Sequence, residues 1–203
     1  MIILMNLLDA KDFKAAVDEI AAPFRAEFEL PPIHQLGLVV ASVEAASEEL
    51  EARGVGPFFI GEAAARRWRE NGEERSFAGK LGTGYRDGLE FESLEPGEGS
   101  DFYRNDLDPQ GRIVVQHLGF HVEDVDRWVE KLNRAGHRER VRGQFKIGPL
   151  VADFAYMETV DAAGIIIELM SMKLLSFRVR PVPALVHAVG RLQKWTGKRS
   201  VSI

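Results

Sequence analysis

The 203-residue chain contains no cysteine. Disulfides and thiolate metal sites are therefore unavailable, and any metal must be held by His, Asp, Glu, Gln or water. Long hydrophobic runs are missing too: nothing approaches the roughly 20 apolar residues of a membrane-spanning helix. The opening MIILMNLLDAKDF is apolar, but it has no basic n-region and no small-residue cleavage site before Asp9, which argues against a secretory leader. Basic charge is not in surplus. The net charge of −5 gives no global attraction to phosphate backbones. A soluble, cytoplasmic protein with neither a nucleic-acid nor a membrane partner is expected. No stretch is of low complexity, and 45% apolar with 28% charged residues describes an ordinary folded chain. Its length suits one domain or two small ones.

What is present is a repeat. QLGLVVASVEAASEELEARG from Gln35 aligns without gaps to HLGFHVEDVDRWVEKLNRAG from His117, with Leu, Gly, Val, Glu and Gly recurring at equal positions. Such internal similarity decides architecture before any motif does. In each copy the first residues alternate as in a strand, Leu36, Leu38 and Val40 on one side and Leu118, Phe120 and Val122 in the second copy. A helix follows: Val125, Trp128, Val129 and Leu132 fall at helical spacing between a capping Asp124 and a terminating Gly136, and Val43, Ala46 and Leu50 repeat the pattern before Gly54. Three strand-like segments close each copy: GPFFIGE, RSFAGKLGTGY and GLEFESLEP, then RERVRGQFKIG, ADFAYMETV and GIIIELMSM. Each copy thus reads strand, helix, strand, strand, strand, and the two are expected to combine in one domain.

Outside the repeat, residues 9–22 place Phe13, Val17 and Ile20 on one helical stripe. PALVHAVGRLQKW from Pro183 places Leu185, Val189, Leu192 and Trp195 on another. Either could pack on the core or on a second subunit. The NGEER turn at Asn71 and the tail after Gly197 read as mobile. The basic runs at Arg66–Arg69 and from Arg178 read chiefly as solvated faces.

Polar residues interrupt the strands at four places. On the side opposite the helix-facing apolar residues, Gln35, Gly37 and Val39 answer His117, Gly119 and His121, and a glycine between polar groups leaves room beside them. His117 is then either a ligand or a core histidine with a satisfied ring. Glu168 follows three isoleucines; buried there it needs a compensating partner, whereas on an edge strand it would face water. Glu90 and Glu92 share one strand face, and exposure accounts for one of them most simply.

The QLGLVV and HLGFHV openings, the GVGPFF after the first helix and the ESLEP and IIELM closings resemble the vicinal oxygen chelate superfamily. That superfamily includes glyoxalase I, methylmalonyl-CoA epimerase, extradiol dioxygenases and bleomycin-resistance proteins. The resemblance covers residues 33–171. It implies an α+β fold: two βαβββ modules (33–110 and 111–171) forming a curved mixed sheet around a cavity, with helical extensions at 1–32 and 172–203. It also implies metal ligands that open the first strand and close the last strand of each module. By position these are Gln35, Glu92, His117 and Glu168, a set similar to that of eukaryotic-type glyoxalase I, with His34 a lesser alternative on the opposite face. The implied cofactor is a divalent ion (Zn, Ni, Co, Mn or Mg). The implied chemistry is lyase or isomerase, a proton being taken from beside a chelated carbonyl with Glu168 or Glu92 as base. The substrate would be a small molecule met by His121, Tyr156 and Phe154, with Phe91 as a further wall, although aromatics at strand spacing are more often core. A homodimer is expected. Two departures matter. SFAGKLGTGY lacks the middle-strand carboxylate of the epimerases, and Gln35 leaves one histidine where the dioxygenases use two. The residues that recognise glutathione in glyoxalase I have no counterpart motif. The alternatives are a metal-free binding protein of the bleomycin-resistance type, an extradiol-type dioxygenase, and a scaffold that assembles through its terminal helices.

Overall fold

A computed structural model describes residues 2–175, 177–198 and 200–202. The chain begins with strand β1 (Ile2–Ile3) and three short helices, α1 (Leu4–Leu8), α2 (Phe13–Asp18) and α3 (Ala22–Phe28). The stripe at residues 9–22 is therefore broken rather than continuous. Pro23 lacks the amide hydrogen needed inside a helix and crowds the preceding turn, so the chain turns at Ala21 (φ 53°) and restarts with Pro23 in the first turn of α3. Val17 is buried, and Phe13 and Ile20 pack against the core beside it.

The first module comprises β2 (Gln35–Val39), α4 (Val43–Ala52), β3 (Phe59–Ala64), a hairpin of β4 (Arg67–Glu70) and β5 (Glu73–Arg75), then β6 (Ala78–Arg86) and β7 (Leu89–Leu94). The second comprises β8 (Val114–His121), α5 (Val125–Arg134), β9 (Glu139–Ile147), β10 (Leu150–Met157), the short α6 (Val160–Ala163) and β11 (Ile166–Leu174). Local chemistry explains the two long helices. The Ser42 hydroxyl accepts the Ala45 amide and the Asp124 carboxylate accepts that of Arg127, capping α4 and α5. Gly54 (φ 82°) and Gly136 (φ 92°) end them in a left-handed turn. Both helices cover the outer face of the sheet, where Leu36, Leu38, Leu118 and Phe120 lie in one cluster with Val43, Leu50, Val125 and Leu132. Each fully buried side chain of this size stabilises the fold by roughly 1.5–3 kcal/mol.

One mixed sheet runs in the order β13-β3-β6-β7-β2-β8-β11-β10-β9-β4-β5, where β13 is the C-terminal strand Val201–Ser202. The modules meet at its centre through the antiparallel β2–β8 pair, flanked by parallel β2–β7 and β8–β11 pairs. The sheet curls strongly, as connectivity requires: β3 ends at Ala64 near one edge while β4 starts at Arg67 against β9 near the other. Three residues bridge about 11 Å at most. The Ala65 amide donates to Phe77 and the Arg66 amide to Gln144, so the crossing is tied on both sides. The Asn71 turn is thus the tip of a β-hairpin, with Asn71 (φ 52°) and Gly72 (φ 85°) both left-handed, as a two-residue turn matching strand twist demands. The basic run at Arg66–Arg69 contains a buried Trp68, stacked on Phe77 inside the curl at 4.4 Å between centroids. Arg69 is paired with Glu139.

After β11 come β12 (Phe177–Val179), α7 (Pro183–Thr196) and β13 (Val201–Ser202). The helix lies where the sequence places it, with its apolar stripe turned away from the core. Leu185, Leu192 and Trp195 are 63%, 54% and 85% exposed, and the packed side is formed by Gly190 and Gln193. A Cβ at residue 190 would stand 2.4 Å from the Phe58 carbonyl oxygen, so glycine permits the close approach. The Gln193 amide completes it by accepting from the Ile60 N–H (2.9 Å) and donating to the Ile60 carbonyl (2.7 Å). The tail after Gly197 is not loose throughout: β13 adds to β3, while Arg199 and Ile203 lie outside the described residues.

Candidate metal centre

The central strands set the site by register. Gly37 of β2 stands between Glu92 of β7 and His117 of β8; two residues along, Gly119 of β8 stands between Gln35 of β2 and Glu168 of β11. The glycines are spatial necessities. A Cβ on Gly37 would lie 1.8 Å from His117 Cε1 and Nε2, and one on Gly119 would lie 2.4 Å from Gln35 Oε1. Each module's glycine makes room for the other module's polar side chain, and this reciprocity carries the pseudo-symmetry of the repeat into the site.

Glu92, His117 and Glu168 converge, offering ligand atoms that all lie within 4.8 Å of one another. His117 Nε2 is 3.3 Å from Glu168 Oε2 and 3.9 Å from Glu92 Oε2. His117 and Glu168 are buried, since β11 is an interior strand with β8 and β10 on either side, so the water-facing alternative for Glu168 does not hold. Gln35 is buried as well; its Nε2 donates to Glu90 Oε1 (3.1 Å) and its Oε1 has no partner. His117 Nε2 and Glu168 Oε2 are likewise buried and unpartnered.

The His117 ring is oriented from behind. A β-bulge between β2 and β8 leaves Gln116 without a register partner. Adjacent strand residues ordinarily face opposite sides, but here Gln116 Oε1 lies 3.0 Å from His117 Nδ1. Gln116 Nε2 in turn donates to Asp106 Oδ2 at 2.6 Å. With its amide oxygen presented to the ring, Gln116 places the proton on Nδ1 and leaves the Nε2 lone pair facing the carboxylates. The two buried, unpartnered acceptors His117 Nε2 and Glu168 Oε2 thus face each other beside Glu92, an arrangement a cation resolves. Neighbouring ligands at about 2.1 Å from one ion stand roughly 3.0–3.4 Å apart, which the His117–Glu168 spacing meets. The donor set, one imidazole with carboxylate and amide oxygens, fits a divalent ion. Burial, then the charges of Glu168 and Glu90, push the Glu92 carboxyl well above its usual range.

Glu90 is not the exposed member of its pair. It is buried, receives Gln35, lies 3.3 Å from His34 Nε2 and takes the hydroxyl of Tyr85, whose own ionisation is pushed far up by burial and by Glu90. His34 precedes the first paired residue of β2, so strand alternation does not dictate its side. Its ring meets that of His121 at 4.0 Å, edge to face.

The site forms the floor of a cavity of about 320 Å³ reached by Gln35, Glu90, Glu92 and Glu168. Tyr156 and Tyr103 line it, their hydroxyls 2.9 Å apart, and both are held well above the usual phenol range by burial and by the nearby glutamates. Tyr156 also sets its ring edge against His117. Phe154 lies on the wall, while Phe91 belongs to the core under the outer helices, stacked on Phe13. His121 lines a separate depression with Arg178 and Arg180. Burial, then His34 and Arg180, lower its pKa to about 3. The rest of the wall is mostly apolar, with Leu81, Phe145, Leu150, Met170 and Met172 and, from the α7 side, Val182 and Leu185, interrupted by Thr83, Tyr85 and Asp153. Sequence reasoning did not single out Tyr103, Gln116 or Asp106. Tyr103 and Asp106 lie in the irregular connection between modules, and Gln116 reaches His117 only because of the bulge.

No family model matches the chain, and no curated protein does. Among solved structures, a hypothetical protein from Bacillus halodurans is 13% identical, with 68% of this chain and 92% of that chain covered and a TM-score of 0.44. A variant of Streptomyces coelicolor methylmalonyl-CoA epimerase in complex with 2-nitronate-propionyl-CoA is 19% identical, with 70% and 94% covered and a TM-score of 0.41. A mutant 4-hydroxymandelate synthase from Streptomyces coelicolor is 16% identical, with 83% and 56% covered and a TM-score of 0.47. The strand order itself defines the architecture, two βαβββ-like modules paired across the β2–β8 seam.

Proposed function

We propose that the protein is a divalent-metal-dependent lyase or isomerase that removes a proton from the carbon beside a substrate carbonyl. The observation that carries the reading is the convergence of buried, unpartnered His117 Nε2 and Glu168 Oε2 on Glu92, with Gln35 Oε1 equally unpartnered. Gln35, Glu92, His117 and Glu168 would hold the ion, which when bound polarises a carbonyl and stabilises negative charge developing on its oxygen. Glu168 and Glu92 are the candidate proton acceptors; both line the cavity, and Glu92 is the less deeply buried of the two. Tyr103 and Tyr156 stay protonated and present a hydroxyl donor to a substrate oxygen. The apolar wall fits a substrate with an oxygen-bearing head and a hydrophobic body.

A second reading, a metal-free binder of apolar small molecules, is favoured by the wall alone. Protein purified without chelator separates the two by elemental analysis. About one ion per chain is expected, lost in His117→Ala and Glu168→Gln. Exchange of a carbon-bound proton next to a carbonyl in deuterated water is expected to vanish with it. A protein that retains no divalent ion and whose melting ignores added Zn, Ni, Co, Mn and Mg overturns the enzyme reading in favour of the binder.

A further inference from the structure

We propose that the C-terminal extension docks on an anionic lipid surface and presents the mouth of the apolar cavity to it. The inference stands apart from the metal reading. Leu185, Leu192 and Trp195 occupy one side of α7 at helical spacing, all more than half exposed, with an exposed Ala188 between them. This side is not the free face of a loose helix, because Gly190 and Gln193 fix the opposite side to β3. An indole 85% exposed on a rigid element is a poor arrangement in water and a good one at a lipid headgroup boundary, where the ring is buried and its N–H stays wet.

Charge selects the occupant. Residues 172–203 contain seven Lys or Arg and no Asp or Glu, in a chain whose net charge is −5; of the seven, Lys194 is paired with Glu51 and Arg178 with Glu123. Arg191 lies exposed on α7 and Lys198 just beyond it. A stripe of apolar and aromatic side chains flanked by cations is complementary to acidic lipid. It is poorly complementary to itself: a two-fold contact between copies would set the same basic surface against its like. Among the described residues no helix is long and apolar enough to cross a membrane, and an in-plane contact needs none. Continuity with the cavity supplies the second argument. Val182 and Leu185 line the cavity wall and are also 57% and 63% exposed, so the apolar surface runs from the helix stripe into the chamber. A hydrophobic molecule dissolved in the lipid would enter without crossing water.

The test is flotation of the full chain with vesicles of phosphatidylcholine alone or with about 30% phosphatidylserine. Binding only to the acidic vesicles is expected, roughly tenfold weaker in about 0.5 M salt, where exposed charges are screened. Trp195 emission should shift to the blue on binding; Trp195→Phe identifies its share against Trp68 and Trp128. Leu192→Glu with Trp195→Glu, and separately Arg191→Glu with Lys198→Glu, should each lower binding by about tenfold or more while circular dichroism and melting stay unchanged. Failure of the wild type to bind acidic vesicles overturns the proposal. So does a dimer in light scattering that the Leu192→Glu/Trp195→Glu variant splits, which would assign the face to a second copy.

Discussion

An alanine at residue 37 would place its Cβ inside the volume now filled by the His117 imidazole. Neither side can yield, because the glycine backbone is locked in the central ladder and the ring is held from behind by Gln116. Gly37→Ala is therefore expected to destabilise the fold by about 1–3 kcal/mol and to abolish ion retention, read by melting and elemental analysis. Gln116→Leu should act more narrowly. It removes the acceptor for Nδ1–H without filling the site, so metal affinity should fall roughly 10–100-fold in a competition titration with little change in melting. The glycines and the polar residues beside them were legible in sequence because period-two alternation places them on one face, while the choice of Gln35, Glu92, His117 and Glu168 came from the family resemblance; Gln116 was not legible, because its reach depends on a bulge that alternation cannot register. His121 gives the pH dependence. Its folded pKa of about 3 lies below the ordinary 6.5, so the unfolded chain takes up the proton first. The stability it contributes is complete above pH 6.5 and is lost as pH falls from there toward 3. The difference in melting temperature between wild type and His121→Leu should change across that window and level off above it.

At the scale of elements, the sequence revealed three closing strands and one opening strand in each module and both long helices, since each carries an apolar period of its own, whereas the β4–β5 hairpin was legible only as a turn at Asn71. The sequence left open the orientation of elements where that depends on distant partners. For α7 the apolar residues pointed to one face, yet a glycine and a glutamine decide the packing: the glycine admits the Phe58 carbonyl, and the glutamine satisfies both backbone groups of Ile60. Replacing Gln193 with Ala leaves a buried N–H and C=O unpaired. A loss of about 1–3 kcal/mol in urea unfolding is expected, with Trp195 emission unchanged because that ring is already in solvent. The β4–β5 hairpin teaches a related lesson. Its Asn-Gly turn is a local signal, but that it leaves its own module to pair with β9 follows from the closing curl of the sheet, which no local pattern encodes.

For the whole molecule the consequential fact is that the converging acceptors come from both halves of the duplicated chain, on either side of the β2–β8 seam. Without an ion, Glu92 and Glu168 repel across that seam, and the unpaired His117 lone pair adds to the cost of bringing the modules together. With an ion the same groups tie the halves to each other. The sign of one substitution should therefore reverse with metal. In chelator, Glu168→Gln removes one of the opposed charges while keeping shape, and the variant should melt above the wild type. With divalent ion at about a thousand times its dissociation constant, the wild type gains roughly 4 kcal/mol from binding, the variant far less, and the order inverts. Melting curves of the two proteins with and without ion measure all four corners. A variant less stable than wild type in chelator would mean that Glu168 has a structural partner, and the cation would then not be needed to explain its burial.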